Sequence, residues 1–220
     1  MWEIKMKRAV IFDVDGTLLD TTEGVLSSVK YTIAAHRLPP IADGELLSFI
    51  GPPIQDSFAK HYGLEGAVLQ ELAATFRERY KEGDVLKALP YEGIYEVCDE
   101  LARRGITIAV ATYKRQDYAE RIMKHFGFDR YTDIIYGADH ENKLKKADII
   151  RKCLEAAEVE PREAVMVGDT EHDALGASAA GIDFIAVTYG FGFRKKEDAI
   201  HLEHTLGVAE KPREILDHIG

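Results

Sequence analysis

The chain has little cysteine: two residues, Cys98 and Cys153, among 220. Both sit in apolar, helix-like stretches, so two buried free thiols are expected rather than a disulfide framework. No apolar run approaches the ~20 residues that span a membrane. The basic start, Met1–Arg8, is followed by only four apolar residues, Ala9–Phe12, before Asp13. That is too short for the apolar segment of a secretion signal, and a cytoplasmic protein is expected. Basic residues are outnumbered, with 28 Lys and Arg against 38 Asp and Glu and a net charge of −10. An acidic chain without a basic cluster is a poor match for nucleic acid or an anionic membrane surface. The eight histidines form no His-x-x-x-His pair and the cysteines no Cys-x-x-Cys; the usual zinc spacings are missing.

What is present is a regular alternation. Ala9–Phe12, Ile106–Ala111, Ile134–Tyr136, Ala164–Val167 and Ile182–Val187 are short runs rich in apolar residues. Continuous rather than alternating runs suit strands covered on both faces of a parallel sheet. Helical spacing separates them: Ile94, Val97, Cys98 and Leu101 step by i, i+3, i+4, i+7, and Ile150, Cys153, Leu154 and Ala157 repeat it. Gly105 and Gly127 end two of the helices. Strands alternating with helices indicate an α/β fold with a doubly wound, mainly parallel, Rossmann-like sheet. Residues 21–89 break the rhythm with helical patterns alone, punctuated by Gly51-Pro52-Pro53 and Gly63. The expected organisation is an α/β catalytic core from residues 1–20 and 90–220, with a small helical cap, 21–89, inserted after the first strand. The charged tail is expected to end in a short helix over Ile215–Ile219.

Asp13, Thr112 and Asp169 each follow an apolar run directly. Ligands of open α/β sheets bind at the carboxyl ends of the strands, so these three polar groups are expected to converge.

The residues at these places carry a resemblance. Asp13-Val-Asp15-Gly16-Thr17 resembles the first motif of the haloacid dehalogenase-like hydrolase superfamily, DxDGT. Thr112 resembles the Thr/Ser of its second motif. A lysine among Lys143, Lys145 and Lys146 stands where its third is expected, and Gly168-Asp169-Thr-Glu-His-Asp173 resembles its fourth, GDxxxD. The segments Phe49–Phe58 and Gly168–Ala177 are similar to phosphoglycolate phosphatase-like and 5′-nucleotidase-like members. The resemblance implies the helical cap and a Mg²⁺-dependent phosphatase working through an aspartyl-phosphate. Asp13 is then the nucleophile and Asp15 the acid and base, its backbone carbonyl reaching the metal. Asp13, Asp15, Asp169 and Asp173 would hold Mg²⁺. Thr112 and the lysine would hold the phosphoryl oxygens, with backbone N–H groups of Gly16 and Thr17 assisting. A carboxylic acid two residues after the nucleophile favours ester cleavage over dehalogenation, because halide leaves without a proton and an alkoxide does not.

Helical phase favours one of the lysines. Lys146 lies four residues before Ile150, on the inward stripe, whereas Lys145 points outward; Lys143 precedes the helix and stays the runner-up, since a loop lysine can swing in. Two departures from the family's pattern stand out. The second motif, commonly Thr-Asn-Lys or Thr-Ser-Lys, here runs Thr112-Tyr113-Lys114, and Tyr113 is expected to touch substrate or pack against the cap. The third, Lys-Pro-x-Pro in many relatives, has no proline here and three competing lysines. Separately, Tyr189-Gly-Phe-Gly192 is a substrate-side loop or a structural glycine turn. His172 is expected to be solvated or to stand behind the site. The expected partner is a small phosphorylated metabolite, with no nucleic acid polymer and no membrane, handled by a monomer or homodimer. The resemblance puts 2-phosphoglycolate first among substrates, then a nucleoside 5′-monophosphate. Pyrophosphate, phosphomutase chemistry and a non-catalytic binding role are the further alternatives.

Overall fold

The computed structural model describes residues 7–139 and 143–220. Most of the basic start and the residues just before Lys143 thus lie outside the described residues. The chain divides into two compact units, Met1–Asp20 with Pro90–Gly220, and Thr21–Leu89.

In chain order, β1 (Ala9–Phe12) and β2 (Leu19–Asp20) precede α1 (Thr22–Ala35), α2 (Asp43–Leu46), α3 (Ile54–Tyr62) and α4 (Ala67–Glu82). Then come β3 (Leu89–Pro90), α5 (Ile94–Arg103), β4 (Thr107–Arg115), α6 (Gln116–His125) and β5 (Ile135–Ala138). The last elements are α7 (Lys146–Ala156), β6 (Ala164–Gly168), α8 (Glu171–Ala180), β7 (Asp183–Val187) and β8 (Thr205–Ala209).

Six strands form one sheet in the order β5-β4-β1-β6-β7-β8, and every pairing is parallel. Successive strand residues face opposite sides, and both sides of the central strands are buried. Ala9, Ile11, Ala109, Ala111, Ala164 and Met166 pack with Ile149, Ile150 and Cys153 of α7 and Ala174 and Ala177 of α8. Val10, Phe12, Val110, Val165 and Val167, at the alternate positions, are equally buried. The small residues on the first face allow α7 and α8 to lie close to the sheet. Burial on both faces is why β1 and β6 read as unbroken apolar runs. Cys98 and Cys153 are free and buried, and burial pushes both thiols up to about 12.

Three boundaries differ from expectation. β4 does not stop before Thr112 but continues to Arg115; its last residues are polar, so hydropathy alone cannot mark its end. β8 has no counterpart in the apolar runs. Gly207 interrupts it, and a side chain there would overlap the His218 ring. The tail then closes with a 3₁₀ helix over Pro212–His218, a turn earlier than the expected helix.

The second unit is helical. Val25, Val29 and Ile33 of α1, Phe58 of α3, and Leu72 and Phe76 of α4 are buried, and the Phe49 and Phe58 rings meet edge to face at 5.2 Å. Buried Asp84 accepts from Ser28 Oγ at 2.9 Å and pairs with Lys87 at 2.8 Å and Arg79 at 3.2 Å. A carboxylate without such partners would be costly to bury.

Candidate active site

Strand register sets the site. Phe12 is level with Val110 of β4 and Val167 of β6, so the residues that follow emerge side by side. The Asp13 N–H donates to the Val167 carbonyl at 3.0 Å and holds Asp13 against β6. The chain then turns sharply. The N–H groups of Leu18 and Leu19 both reach the Val14 carbonyl at 3.0 Å, and Gly16 adopts a φ of 80°.

This turn corrects one expectation. The Gly16 N–H donates to the Leu19 carbonyl at 2.9 Å and the Thr17 N–H to the Val14 carbonyl at 3.3 Å. Both are spent inside the turn and are not presented to a ligand. The glycine is needed for another reason: a side chain at residue 16 would overlap the Asp169 carboxylate. Thr17 is buried, and its Oγ1 has no hydrogen-bond partner among the described residues.

Asp169 follows β6 and precedes α8, whose N-cap is Thr170. It therefore does not open the helix and does not share a helical face with Asp173. Instead the loop after β7 clasps it. The N–H groups of Phe191 and Gly192 donate to Asp169 Oδ2 at 2.6 and 3.1 Å, and the Phe193 N–H donates to its carbonyl at 2.8 Å. A side chain at Gly190 would strike both the Gly16 carbonyl and Asp169. Tyr189-Gly-Phe-Gly192 is thus a structural turn supporting a carboxylate. Asp173 sits in the first turn of α8, where its Oδ2 accepts from the Thr170 N–H at 3.1 Å and Oγ1 at 2.7 Å. This capping interaction locks its rotamer.

Lys146 opens α7 and is 3% exposed, while Lys143 and Lys145 are exposed. Its Nζ lies 2.9 Å from Asp13 Oδ1 and 2.7 Å from Asp173 Oδ1. Its stem rests on Gly176, where a Cβ would come within 2.6 Å of Lys146 Cγ. Tyr113 has a structural role within the core. Its hydroxyl accepts the Lys146 backbone N–H at 3.0 Å, and its ring centroid lies 5.4 Å from Nζ. The ring of exposed His172 meets Tyr113 edge-on at 5.7 Å. Tyr113 therefore packs on the lysine at the start of α7.

Thr112 is buried, and its Oγ1 accepts the Lys114 N–H at 3.1 Å. The Lys114 side chain is 6% exposed, and its Nζ pairs with Asp15 Oδ1 at 3.0 Å. Lys114 was not among the expected site residues. Strand alternation carries the signal that would have found it, since Thr112 and Lys114 share a face once β4 extends past residue 112.

Four carboxylates, Asp13, Asp15, Asp169 and Asp173, thus face two ammonium groups in a buried site. Burial, with Asp173 and Asp15 nearby, raises Asp13 to about 6 against the opposing pull of Lys146. Burial and the charges of Asp173 and Asp13 push Asp169 well above the ordinary carboxylate range. Burial alone would lower Lys146, but Asp13 and Asp173 reverse this and hold it charged. Carboxylate oxygens of Asp13, Asp169 and Asp173 lie within 4.8 Å of one another. Asp169 Oδ1 is buried and has no hydrogen-bond partner among the described residues. An orphaned buried anionic oxygen amid excess negative charge fits a hard divalent cation.

The chain is similar to known proteins along most of its length. Residues 10–187 match the family of haloacid dehalogenase-like hydrolases. A Pseudomonas aeruginosa protein named 5′-nucleotidase is 34% identical over 209 residues, covering 94% of this chain and 95% of that one. A Halalkalibacterium halodurans protein named pyrophosphatase is 31% identical over 212 residues, 96% of each chain. A solved haloacid dehalogenase-like hydrolase from Streptococcus pneumoniae superposes with a TM-score of 0.89 at 30% identity, covering 97% of this chain and 99% of that one.

Proposed function

The chain belongs to the haloacid dehalogenase-like hydrolases, and from that premise we propose that it is a phosphatase that cleaves a small phosphomonoester through a phosphorylated Asp13. The observation that carries this reading is the Asp13 carboxylate, buried at a strand end, touching Lys146 and two residues from a second carboxylate. In the first step an Asp13 oxygen bonds to phosphorus, the bond to the leaving oxygen breaks, and Asp15 gives that oxygen a proton. In the second, Asp15 takes a proton from water, the water oxygen bonds to phosphorus, and the Asp13–phosphorus link breaks, releasing phosphate. Lys146 and Thr112 hold the phosphoryl oxygens and offset their charge. Tyr113 supports Lys146 and does not bind the phosphate itself.

Asp13, Asp169 and Asp173, with the Asp15 backbone carbonyl, would hold Mg²⁺, which supplies charge neutralisation for the carboxylates and the phosphate. Occupancy is readable without catalysis. At ~100-fold excess over its Kd, a bound ion adds ~2.7 kcal/mol of stability, or roughly 5–10 °C in a chain of this length. Asp169→Asn should abolish that shift in thermal unfolding. Protons compete with the metal for the same oxygens. The shift should therefore grow as pH rises through the value of about 6 held by Asp13, and shrink below it. A Mg²⁺ shift equal at pH 5 and pH 7.5, or unchanged in Asp169→Asn, would contradict the assignment.

Asp15 as acid makes a separate prediction. Asp15→Asn should slow esters of basic leaving groups more than aryl phosphates, because an acid matters most where the leaving oxygen is basic. Equal losses across a series of leaving-group pKa would refute the role. Among substrates we place 2-phosphoglycolate first. The relative named 5′-nucleotidase favours a nucleoside 5′-monophosphate as the second reading. A panel of phosphomonoesters assayed with Mg²⁺, and with EDTA as control, tests the class and ranks the substrates. No release of phosphate from any member would refute the phosphatase reading.

A further inference from the structure

We infer that Lys114 binds substrate on the leaving-group side of the site, and that the preferred substrates are phosphate compounds whose leaving group carries negative charge close to the bridging oxygen. The inference rests on the phosphatase reading above, with Asp15 as the acid. The two buried ammonium groups stand on different carboxylates. Lys146 lies on Asp13 and Asp173, so it serves the nucleophile and the phosphoryl group. Lys114 lies 3.0 Å from Asp15 Oδ1. An acid works from ~2.6–3.2 Å of the oxygen it protonates. An ammonium beside that acid is therefore within roughly 6 Å of the leaving oxygen. A carboxylate or phosphoryl group one or two bonds beyond that oxygen falls within its reach. The carboxylate of 2-phosphoglycolate and the second phosphoryl of pyrophosphate are so placed, whereas an alcohol or a ribose offers no charge there.

The placement of Lys114 is built rather than incidental. The register of β4 against β5 shifts between Ala111 and Arg115, a device that re-aims side chains near active sites. Gln116 closes the gap: its Nε2 donates to the Ile135 carbonyl at 2.8 Å and its Oε1 accepts the Gly137 N–H at 2.6 Å. A side chain at Gly137 would overlap the Lys114 carbonyl, so glycine there lets β5 approach. Taking a lysine out of water at this point is costly, and Lys146 already serves the transferred phosphoryl group.

The test compares kcat/KM for 2-phosphoglycolate and 2-phosphoethanol, which differ in a carboxylate against a hydroxymethyl group. Pyrophosphate and p-nitrophenyl phosphate complete the set, each with Mg²⁺. The wild type should prefer 2-phosphoglycolate over 2-phosphoethanol by about 10- to 100-fold, the scale of a hydrogen bond to a charged group. Lys114→Gln should cost 2-phosphoglycolate and pyrophosphate at least ~10-fold more than 2-phosphoethanol, chiefly through KM, and Lys114→Arg should keep the preference. A lysine that only positions Asp15 would cost 2-phosphoglycolate and 2-phosphoethanol alike and p-nitrophenyl phosphate less, following leaving-group basicity rather than charge, and that result would overturn the inference. So would a wild type indifferent to the carboxylate, a comparison that needs no variant to fold. A wild type cleaving none of the four would overturn the inference, and one that also left nucleoside 5′-monophosphates and the rest of the phosphomonoester panel intact would refute the phosphatase reading itself.

Discussion

Asp13→Asn is expected to lower turnover by about 10⁴-fold or more, the scale of losing a nucleophile from a working constellation. The amide is nearly isosteric with the carboxylate, but it cannot form the phosphoryl link and carries no charge for a metal. The fold should survive. Asp13 is buried and its carboxylate is pushed up to about 6 mainly by that burial, so the uncharged amide sheds a desolvation cost while losing the Lys146 pairing. Thermal unfolding in EDTA should therefore remain cooperative, with a midpoint near that of the wild type. Activity within tenfold of the wild type would remove Asp13 from the chemistry. Loss of activity together with loss of the cooperative transition would show only that the side chain is structural.

Lys146→Ala should cost ~2–4 kcal/mol in kcat/KM, about 30- to 1000-fold, as for one preorganised charge-stabilising contact. Lys145→Ala should be nearly silent, because its neighbour alone is buried on Asp13 and Asp173. The two effects at Asp13 and Lys146 should not add. Residues 2.9 Å apart that act as one unit are coupled, so Asp13→Asn with Lys146→Ala should lose little beyond Asp13→Asn alone. Lys146→Met separates charge from packing, since it keeps the stem that rests on Gly176. A loss at Lys145 exceeding that at Lys146 would overturn the assignment of the phosphate-binding lysine.

Much of this arrangement is legible in the residues because local rules decide it. β1 and β6 lie in the middle of the sheet and are buried on both faces, so their apolar runs are continuous and their ends are sharp. The polar residues after them, Asp13 and Asp169, are marked by contrast. Lys146 is placed by helical phase alone, four residues before Ile150, and the side chain lies inward while Lys145 is exposed. What is illegible depends on contacts distant in sequence or on backbone detail. The Gly16 and Thr17 N–H groups look available until the turn is seen to use them. Support of Asp169 by Phe191 and Gly192 spans more than twenty residues. β4 outruns its apolar stretch through Thr112, Tyr113 and Lys114, so hydropathy hides the pairing of Lys114 with Asp15. Tyr113 looks like a candidate for substrate contact, and only the position of α7 shows that it braces Lys146.

Phosphate that passes through Asp13 can be trapped there chemically during turnover. The wild type would be mixed with Mg²⁺ and 2-phosphoglycolate or p-nitrophenyl phosphate, quenched in acid during steady state, and reduced with borohydride. Borohydride converts an acyl phosphate to an alcohol, so peptide mass spectrometry should find homoserine at residue 13, dependent on substrate and missing from Asp13→Asn. Reduction at another carboxylate, or turnover of either substrate with residue 13 unmodified throughout, would contradict the account.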